Sequence, residues 1–241
     1  MTKAPADVVK SLAPTGTLRA AINVANPVLV QRNPVTGAPC GMTVDLAREL
    51  ERRLGVPLEM VVIDGAGKSF DAVKSASCDI GFLAVEPARA AEVDFTSPYV
   101  IIEGVYAARA DSAIKSNDDI DRAGVRVAVN TGAAYDLYLT RSLKAATLVR
   151  AEESFDVFLR DGLEAVAGVK QGVVRFVAET PVARMLPGRF MEIQQAMCLP
   201  KGRDAGARYL HGFVEEMKAS GFVAGAIKRA GQEATVAPPA S

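Results

Sequence analysis

The stretch "EPARAAEVDFTSPY", residues 86–99, places one arginine, Arg89, among alanines. Its nearest charged neighbour on the preceding side is Glu86, so the guanidinium either pairs with Glu86 or binds a group outside the chain. The preceding run "DIGFLAV" (79–85) is nearly all apolar, which is typical of a strand buried on both faces. Arg89 is therefore expected just past the carboxyl end of a buried strand.

Strand and helix patterns alternate outward from this stretch. The predicted strands are 18–24, 58–63, 79–85, 100–108, 125–129, 146–150 and 164–169, and the predicted helices are 42–55, 68–77, 133–144, 154–162, 170–180 and two more within 204–230. The helix 42–55 is the best marked, since an apolar stripe of Leu46, Ala47, Leu50 and Leu54 runs up to Gly55. Such alternation predicts an α/β fold with mainly parallel sheets flanked by helices.

Ligands of open α/β sheets bind at the carboxyl ends of the strands, beside helix N-termini. The candidate ligand-binding residues near such ends are Asn23, Asn26, Phe82, Ala84, Glu86, Arg89, Thr131, Gly132, Ala133, Ala134, Tyr135, Gly168 and Lys170. Arg89 is predicted to be the main anchor, because its guanidinium can donate two parallel hydrogen bonds to a carboxylate. The backbone amides of residues 132–134 open a predicted helix and are expected to form a second anion site.

Composition excludes several classes of protein and site. The 28 basic and 28 acidic residues cancel, which argues against a nucleic-acid surface, and no run of 18 apolar residues predicts a membrane span. Cys40, Cys78 and Cys198 form no CxxC pair, and with the single His211 they make no plausible metal set, so neither metal nor cofactor is expected. No secretory leader is recognisable at the start, which favours the cytoplasm, or the periplasm if a leader has been removed.

Several segments in the same order resemble a known family. They are "GTLRAAINV" (16–24), "GMTVDLARELERRLG" (41–55), "SASCDIGFLAVEPARAAEVDFTSPY" (75–99), "GVRVAVNTGAAYD" (124–136), "GLEAVAG" (162–168) and "LPKGRDAGARYLHGFVEEMKASGF" (199–222). Together they resemble the type II periplasmic solute-binding proteins of amino-acid ABC transporters, in which an arginine at the position of Arg89 clamps the carboxylate of the ligand. The resemblance implies a monomer that binds a small carboxylate-bearing solute by hinge closure and delivers it to a permease.

The resemblance also implies a two-lobed type II fold with two hinge crossings. Lobe 1 is expected to comprise residues 1–97 and 197–241, and lobe 2 residues 98–196. The Ala/Pro-rich tail 232–241 is expected to be disordered.

The chain departs from the family pattern at several candidate positions. Ala84, Ala133 and Ala134 stand where hydroxyl side chains are usual, and Asn26 stands where an aromatic lid is usual. The family's strand-end aspartate, which receives the ammonium of the ligand, corresponds to Gly168 or Val169, and Lys170 follows. If Lys170 faces the ligand, a dicarboxylate or an amine-free carboxylate is favoured over an amino acid. Alternatively, Lys170 extends into solvent, and Glu86 pairs with Arg89 or receives an ammonium.

An enzyme is the alternative function, since cyclohexadienyl dehydratases, which act on prephenate or arogenate, resemble these binding proteins. Such a reaction needs a general acid close to the carboxylate clamp. Glu86 is the acid placed near Arg89 by the motif, while Glu179 and Glu192 are candidates only through their place in the second lobe. His211 lies beside an apolar helical stripe and is interpreted as a surface or packing residue.

Overall fold

The computed structural model describes residues 3–240, and these residues form two compact units. Unit 1 runs up to Ile101 and resumes at Gln194, and unit 2 comprises Ile102–Ile193. The chain passes between the units inside two long strands. The sequence predicted crossings near 95–99 and 193–197, and the units divide after Ile101 and after Ile193.

The bounds of the elements are as follows. The helices are α1 (Ala6–Leu12), α2 (Met42–Leu54), α3 (Ala66–Lys74), α4 (Pro87–Ala90), α5 (Ala134–Ser142), α6 (Ser154–Arg160), α7 (Lys170–Glu179), α8 (Asp204–Ala219) and α9 (Phe222–Arg229). The strands are β1 (Leu18–Asn23), β2 (Gln31–Arg32), β3 (Pro39–Cys40), β4 (Leu58–Ile63), β5 (Gly81–Ala84), β6 (Val93–Arg109), β7 (Arg126–Asn130), β8 (Thr147–Ala151), β9 (Ala165–Val169), β10 (Ala183–Met185), β11 (Met191–Pro200) and β12 (Thr235–Val236). No helix within residues 3–240 has the length and apolar character needed to cross a membrane.

Three strands of unit 1 have their carboxyl ends at the same edge of the sheet. Strand β1 pairs in parallel with β4, and a parallel bridge joins Ala20 on β1 to Ile80 just before β5. Strand β11 runs antiparallel to β5. Because parallel strands end at the same edge, the chain leaves β1, β4 and β5 close to Asn23, Ile63 and Ala84.

Helix α2 covers unit 1 as its sequence pattern predicts. Leu46, Ala47, Leu50 and Leu54 are all buried, and Gly55 ends the helix in the left-handed conformation. The stripe is therefore the face that the helix packs inward.

The sheet of unit 2 has the order β6-β9-β7-β8, with β10 paired to β6. Strands β8, β7 and β9 are mutually parallel, whereas β6 runs antiparallel to β9. A core of Val105, Phe158, Val166 and Val173 fills the space between the sheet and helices α6 and α7. The predicted α/β fold is confirmed, and its sheets are mixed because the crossing strands run antiparallel to their neighbours.

The C-terminal tail was expected to be disordered, and the structure differs. Strand β12 pairs with Val100 and Ile101 of β6, and the amide of Ala237 donates to the carbonyl of Tyr99 at 3.1 Å. Ala237 is buried, and Lys218 Nζ donates to the carbonyl of Pro238 at 2.8 Å. The Ala/Pro composition misled the prediction because it does not reveal that β6 offers an edge to this segment.

Candidate functional site

Arg89 lies in unit 1 just past the carboxyl end of β5, as the strand pattern predicts. Strand β5 ends at Ala84, Pro87 begins the short helix α4, and Arg89 is in its last turn. The Nη1 atom of Arg89 donates to the carbonyl of Ala84 at 3.1 Å. This bond ties the guanidinium back to the end of the strand.

The guanidinium of Arg89 is almost fully removed from water. The residue is 3% exposed, and burial lowers its pKa from the usual value, with Cys198 and then Glu86 acting in the opposite direction. An arginine nevertheless stays protonated in proteins. A buried cation attracts a carboxylate more strongly than an exposed one, because the effective dielectric constant around it is lower.

Glu86 directly precedes α4 and is also 3% exposed. Its backbone carbonyl accepts hydrogen bonds from the amides of Arg89 and Ala90, both at 2.9 Å. A buried acid and a buried base thus occupy the same turn of unit 1. The sequence left open whether Glu86 serves Arg89 or a ligand, and both roles stay predictions.

Three other candidate ligand-binding residues of unit 1 form contacts that stabilise the fold. The side-chain oxygen of Asn23 accepts the amides of Ala25 and Gly65, at 3.1 and 3.2 Å, and that of Asn26 accepts the amide of Val28 at 3.2 Å. These bonds shape the loops after β1 and β4. Phe82 is buried and meets Tyr99 edge to face, with 6.3 Å between the ring centroids. Phe82 therefore contributes to the core of unit 1.

The predicted anion site at the start of α5 lies in unit 2, and its amides have partners within the chain. The amide of Gly132 donates to Oδ2 of Asp136 at 2.9 Å, and the amide of Ala133 donates to the carbonyl of Asn130 at 3.1 Å. Of the three amides at 132–134, two are therefore engaged within the chain itself. The physical reason is that Asp136, in the first turn of α5, supplies its own carboxylate where a helix N-terminus attracts an anion.

The remaining candidates of this segment are Thr131, Ala134 and Tyr135. Thr131 donates its amide to the carbonyl of Ala151 at 2.9 Å and has an exposed side chain, and Ala134 begins α5. Tyr135 is only 8% exposed, and burial raises the pKa of its hydroxyl. Tyr135 is thus a mainly interior side chain of unit 2.

At the carboxyl end of β9, Gly168 has a packing role. A Cβ atom on Gly168 would lie 2.9 Å from Cγ2 of Val173 and 3.3 Å from the ring of Phe155. These are contacts with the helical layer over the sheet. The absence of a side chain at Gly168 lets α7 approach β9 closely.

Lys170 has a 42% exposed side chain, and whether it faces a ligand or solvent stays a prediction. It is the first residue of α7, and its Nζ donates to Oε2 of Glu103 on β6 at 2.6 Å. Glu103 also contacts Arg189 through Oε1 at 3.4 Å, and Arg189 donates to Glu192 at 2.7 Å. The charge of Lys170 is therefore balanced by a carboxylate of the same unit, which removes the unpaired cation on which the expectation of a dicarboxylate rested.

Of the three candidates for a general acid, Glu86 lies in the same turn as Arg89 in unit 1. Glu179 is exposed at the end of α7 and Glu192 binds Arg189, and both belong to unit 2. In unit 1, Nδ1 of His211 accepts the amide of Ser97 at 3.3 Å. Within residues 3–240, no group of His, Cys, Asp and Glu side chains is arranged to hold a metal ion, and the three cysteines are free thiols.

Sequence reasoning missed Glu103 and Asp136. Glu103 is 67 positions from Lys170, and only the pairing of Gly104 with Val169 brings the two side chains together. Asp136 was quoted only as part of a motif, although an acid in the first turn of a helix is itself a signal for a bond to the preceding amides.

Residues 18–232 match the family described as bacterial extracellular solute-binding proteins, family 3. No curated protein matches the chain. Among solved structures, a mutant of the arginine-binding protein ArgBP of T. maritima is similar, at 24% identity and a TM-score of 0.78, with 94% of this chain and all of that chain covered.

Two further solved structures are similar in fold. The solute receptor for L-cysteine of Neisseria gonorrhoeae has 21% identity and a TM-score of 0.79, with 92% of each chain covered. An amino-acid ABC transporter substrate-binding protein of Streptococcus pneumoniae, bound to L-arginine, has 18% identity and a TM-score of 0.77, with 92% of this chain and 97% of that chain covered. These matches establish the type II periplasmic-binding-protein fold.

Proposed function

Because the chain belongs to the bacterial extracellular solute-binding proteins of family 3, we propose that it binds a small amino acid for an ABC transporter. The similar solved proteins are described as binding arginine or cysteine, and amino acids are therefore the first ligands to test. Binding is proposed to close unit 1 and unit 2 over the ligand, which is a hinge motion without chemical change.

The observation that carries the proposal is the burial of Arg89 at the end of β5. Its guanidinium is held by the carbonyl of Ala84 and is 3% exposed, so it offers a fixed, poorly hydrated cation. Such a group suits the carboxylate that every amino acid carries. Lys170 is paired with Glu103, so it does not offer an unpaired second cation for a dicarboxylate. This pairing favours an amino acid as the ligand.

A calorimetric titration tests the proposal. The ligands are L-arginine, L-lysine, L-cysteine and other amino acids, together with deaminated analogues and dicarboxylates, and the proteins are the wild type, R89A and R89K. We expect R89A to weaken binding by roughly 2–5 kcal/mol, and R89K to recover little because an ammonium lacks the planar fork. R208A, which changes an exposed arginine of α8 in unit 1, should bind like the wild type.

Two results would contradict the proposal. A loss below about 0.5 kcal/mol in R89A is within the range of an ordinary surface substitution and would remove the anchor role. Turnover of prephenate or arogenate by the wild type would favour the dehydratase alternative, whereas saturable binding without chemical change favours a binding protein.

The permease partner, the location and the monomeric state are also part of the proposal. The family is described as extracellular, so we place the protein outside the cytoplasmic membrane, as a monomer that meets an ABC permease. Cell fractionation tests the location, and light scattering with and without ligand tests the monomer. Recovery of the protein only from the cytoplasm would favour the location first expected from the sequence.

A further inference from the structure

Gln195 is a buried polar residue of unit 1 that lies on β11, opposite the end of β5. It is 5% exposed, close to the 3% of Arg89. Its side-chain amide forms no hydrogen bond within residues 3–240. Because the large majority of buried side-chain polar atoms are hydrogen-bonded, this amide is expected to bond to a group outside the chain.

The register of β5 and β11 places Gln195 next to Ala84. The two residues are directly opposite each other, and the amide of Val85 in the adjacent pair donates to the carbonyl of Gln194 at 2.8 Å. Since hydrogen-bonded and non-hydrogen-bonded pairs alternate, Ala84 and Gln195 form a non-hydrogen-bonded pair, whose Cα atoms are about 4.5 Å apart. Their side chains point to the same face of the sheet.

Arg89 is held on the other side of the same strand end. In a non-hydrogen-bonded pair the backbone groups point away from the partner strand, so the carbonyl of Ala84 points away from β11. That carbonyl accepts Nη1 of Arg89 at 3.1 Å. The end of β5 is thus flanked by a buried cation on one side and a buried amide on the other. Ala84 itself has only a methyl group, which offers no donor to a ligand.

Other buried polar side chains of unit 1 are used by the fold or belong to other elements. The hydroxyl of Thr96 accepts the amide of Met197 at 3.1 Å. The hydroxyls of Thr43 and Ser69 have no partner within residues 3–240, but they belong to helices α2 and α3. Gln195 combines an unpartnered buried amide with a register that brings it to the strand end where Arg89 is held.

We propose that the side-chain amide of Gln195 donates to the carboxylate of the ligand together with Arg89. A carboxylate has two oxygens and about four acceptor positions, so it can accept from the guanidinium and from the amide at once. The amide adds a donor without adding a second positive charge, which suits a ligand that presents a single carboxylate here. The inference rests on the proposed function, because it needs a ligand that carries a carboxylate.

The test measures ligand affinity by calorimetry and stability by urea denaturation for the wild type, Q195M and Q195E. The probe is the amino acid that binds the wild type best. Q195M removes the donor and keeps a side chain of similar length, and it should weaken binding by about tenfold to a hundredfold, as loss of a hydrogen bond to a charged group predicts. Q195E should weaken binding further, because it places a negative charge opposite the carboxylate of the ligand.

Gln194 supplies the matched controls, since it is the exposed neighbour of Gln195 on the same strand. Q194M and Q194E make the same chemical changes and should bind the amino acid like the wild type. Without ligand, Q195M should be at least as stable as the wild type, because the amide that it removes has no partner within residues 3–240. A glutamine that only stabilised the fold would give the opposite result, with lower stability and unchanged affinity.

Equal affinities of the wild type and Q195M would show that the amide bonds to water or to the fold alone, and the inference would be overturned. Tighter binding by Q195E would assign Gln195 to a cationic part of the ligand and would overturn it as well. If the wild type binds no amino acid, the proposed function fails too, so the two failures are distinguishable.

Discussion

The carboxylate of Asp136 accepts the backbone amide of Gly132 at 2.9 Å, four residues back along the chain. The other oxygen accepts Nε of Arg150 at 2.9 Å, so one side chain joins the loop after β7 to strand β8. Asp136 is 3% exposed, and these bonds form in a region with little competing water. The loop that the sequence assigned to a ligand is thus held in place by an acid of its own helix.

Replacing Asp136 by asparagine should destabilise the protein. An amide cannot match a carboxylate opposite Arg150, and it leaves a buried network partly unsatisfied, so we expect a loss of roughly 1–3 kcal/mol in the free energy of unfolding. Urea denaturation measures it. D156N makes the same change at an exposed position in the first turn of α6 and should leave stability unchanged. Equal effects of the two substitutions would show that Asp136 has no special role.

The stability of unit 1 should depend on acid through Asp79. Its carboxylate is fully buried and binds Arg19 at 2.9 Å and Arg203 at 2.9 Å. Burial acts to raise the pKa of Asp79, but the hydrogen bonds from Arg19 and Arg203 outweigh it, and the net pKa is below the usual value. A depressed folded-state pKa stabilises the protein above the unfolded value of about 3.9, and this contribution is lost as the pH falls through the folded value.

D79N tests this expectation. Breaking a buried ion pair costs about 3–5 kcal/mol, so the variant should unfold at much lower urea concentration at pH 7. The gap in unfolding free energy between the wild type and D79N should be constant above about pH 5 and should narrow below about pH 4, where the unfolded wild type begins to bind a proton on Asp79 that the folded state does not. A gap that does not change down to pH 3 would contradict the assignment of this pH dependence to Asp79.

The C-terminal tail should contribute to stability. Truncation after Gln232 removes β12, the bond from Ala237 to Tyr99 and the bond from Lys218 to Pro238, and we expect a loss of roughly 1–3 kcal/mol in the free energy of unfolding. Truncation after Pro239 keeps all three contacts and is the matched control. Identical denaturation curves for the two truncations would contradict this expectation and would support the disordered tail that the composition suggests.

The sequence predicted best those helices and strands that depend on residues within a single segment. The apolar stripe and the terminal glycine of α2 lie within one segment, and the helix is confirmed almost to the residue. The placement of Arg89 after β5 followed from the same kind of evidence, although its ligand role stays a prediction. Strand β12 was missed because two residues become a strand only when β6 offers an edge more than 130 positions away.

The site was less predictable than the fold for a related reason. Whether Lys170 can bind a ligand anion depends on which charged side chains lie beside it. Its partner Glu103 belongs to strand β6, far from Lys170 in the sequence. The register that pairs Gly104 with Val169 is a property of the folded sheet, which the residues near Lys170 do not encode. The sequence showed that a lysine occupies position 170, but it did not show that a carboxylate would pair with it.

The close approach of α7 to β9 should depend on Gly168. A methyl group there would lie 2.9 Å from Val173 and 3.3 Å from Phe155, so G168A must displace the helical layer. Overpacking of this kind costs about 1–3 kcal/mol, which urea denaturation measures. G212A is the control, since its methyl group would meet nothing within 4 Å in helix α8, where alanine is preferred to glycine by about 1 kcal/mol. The two substitutions should therefore change stability in opposite directions, and a stabilising G168A would show that α7 does not need this glycine.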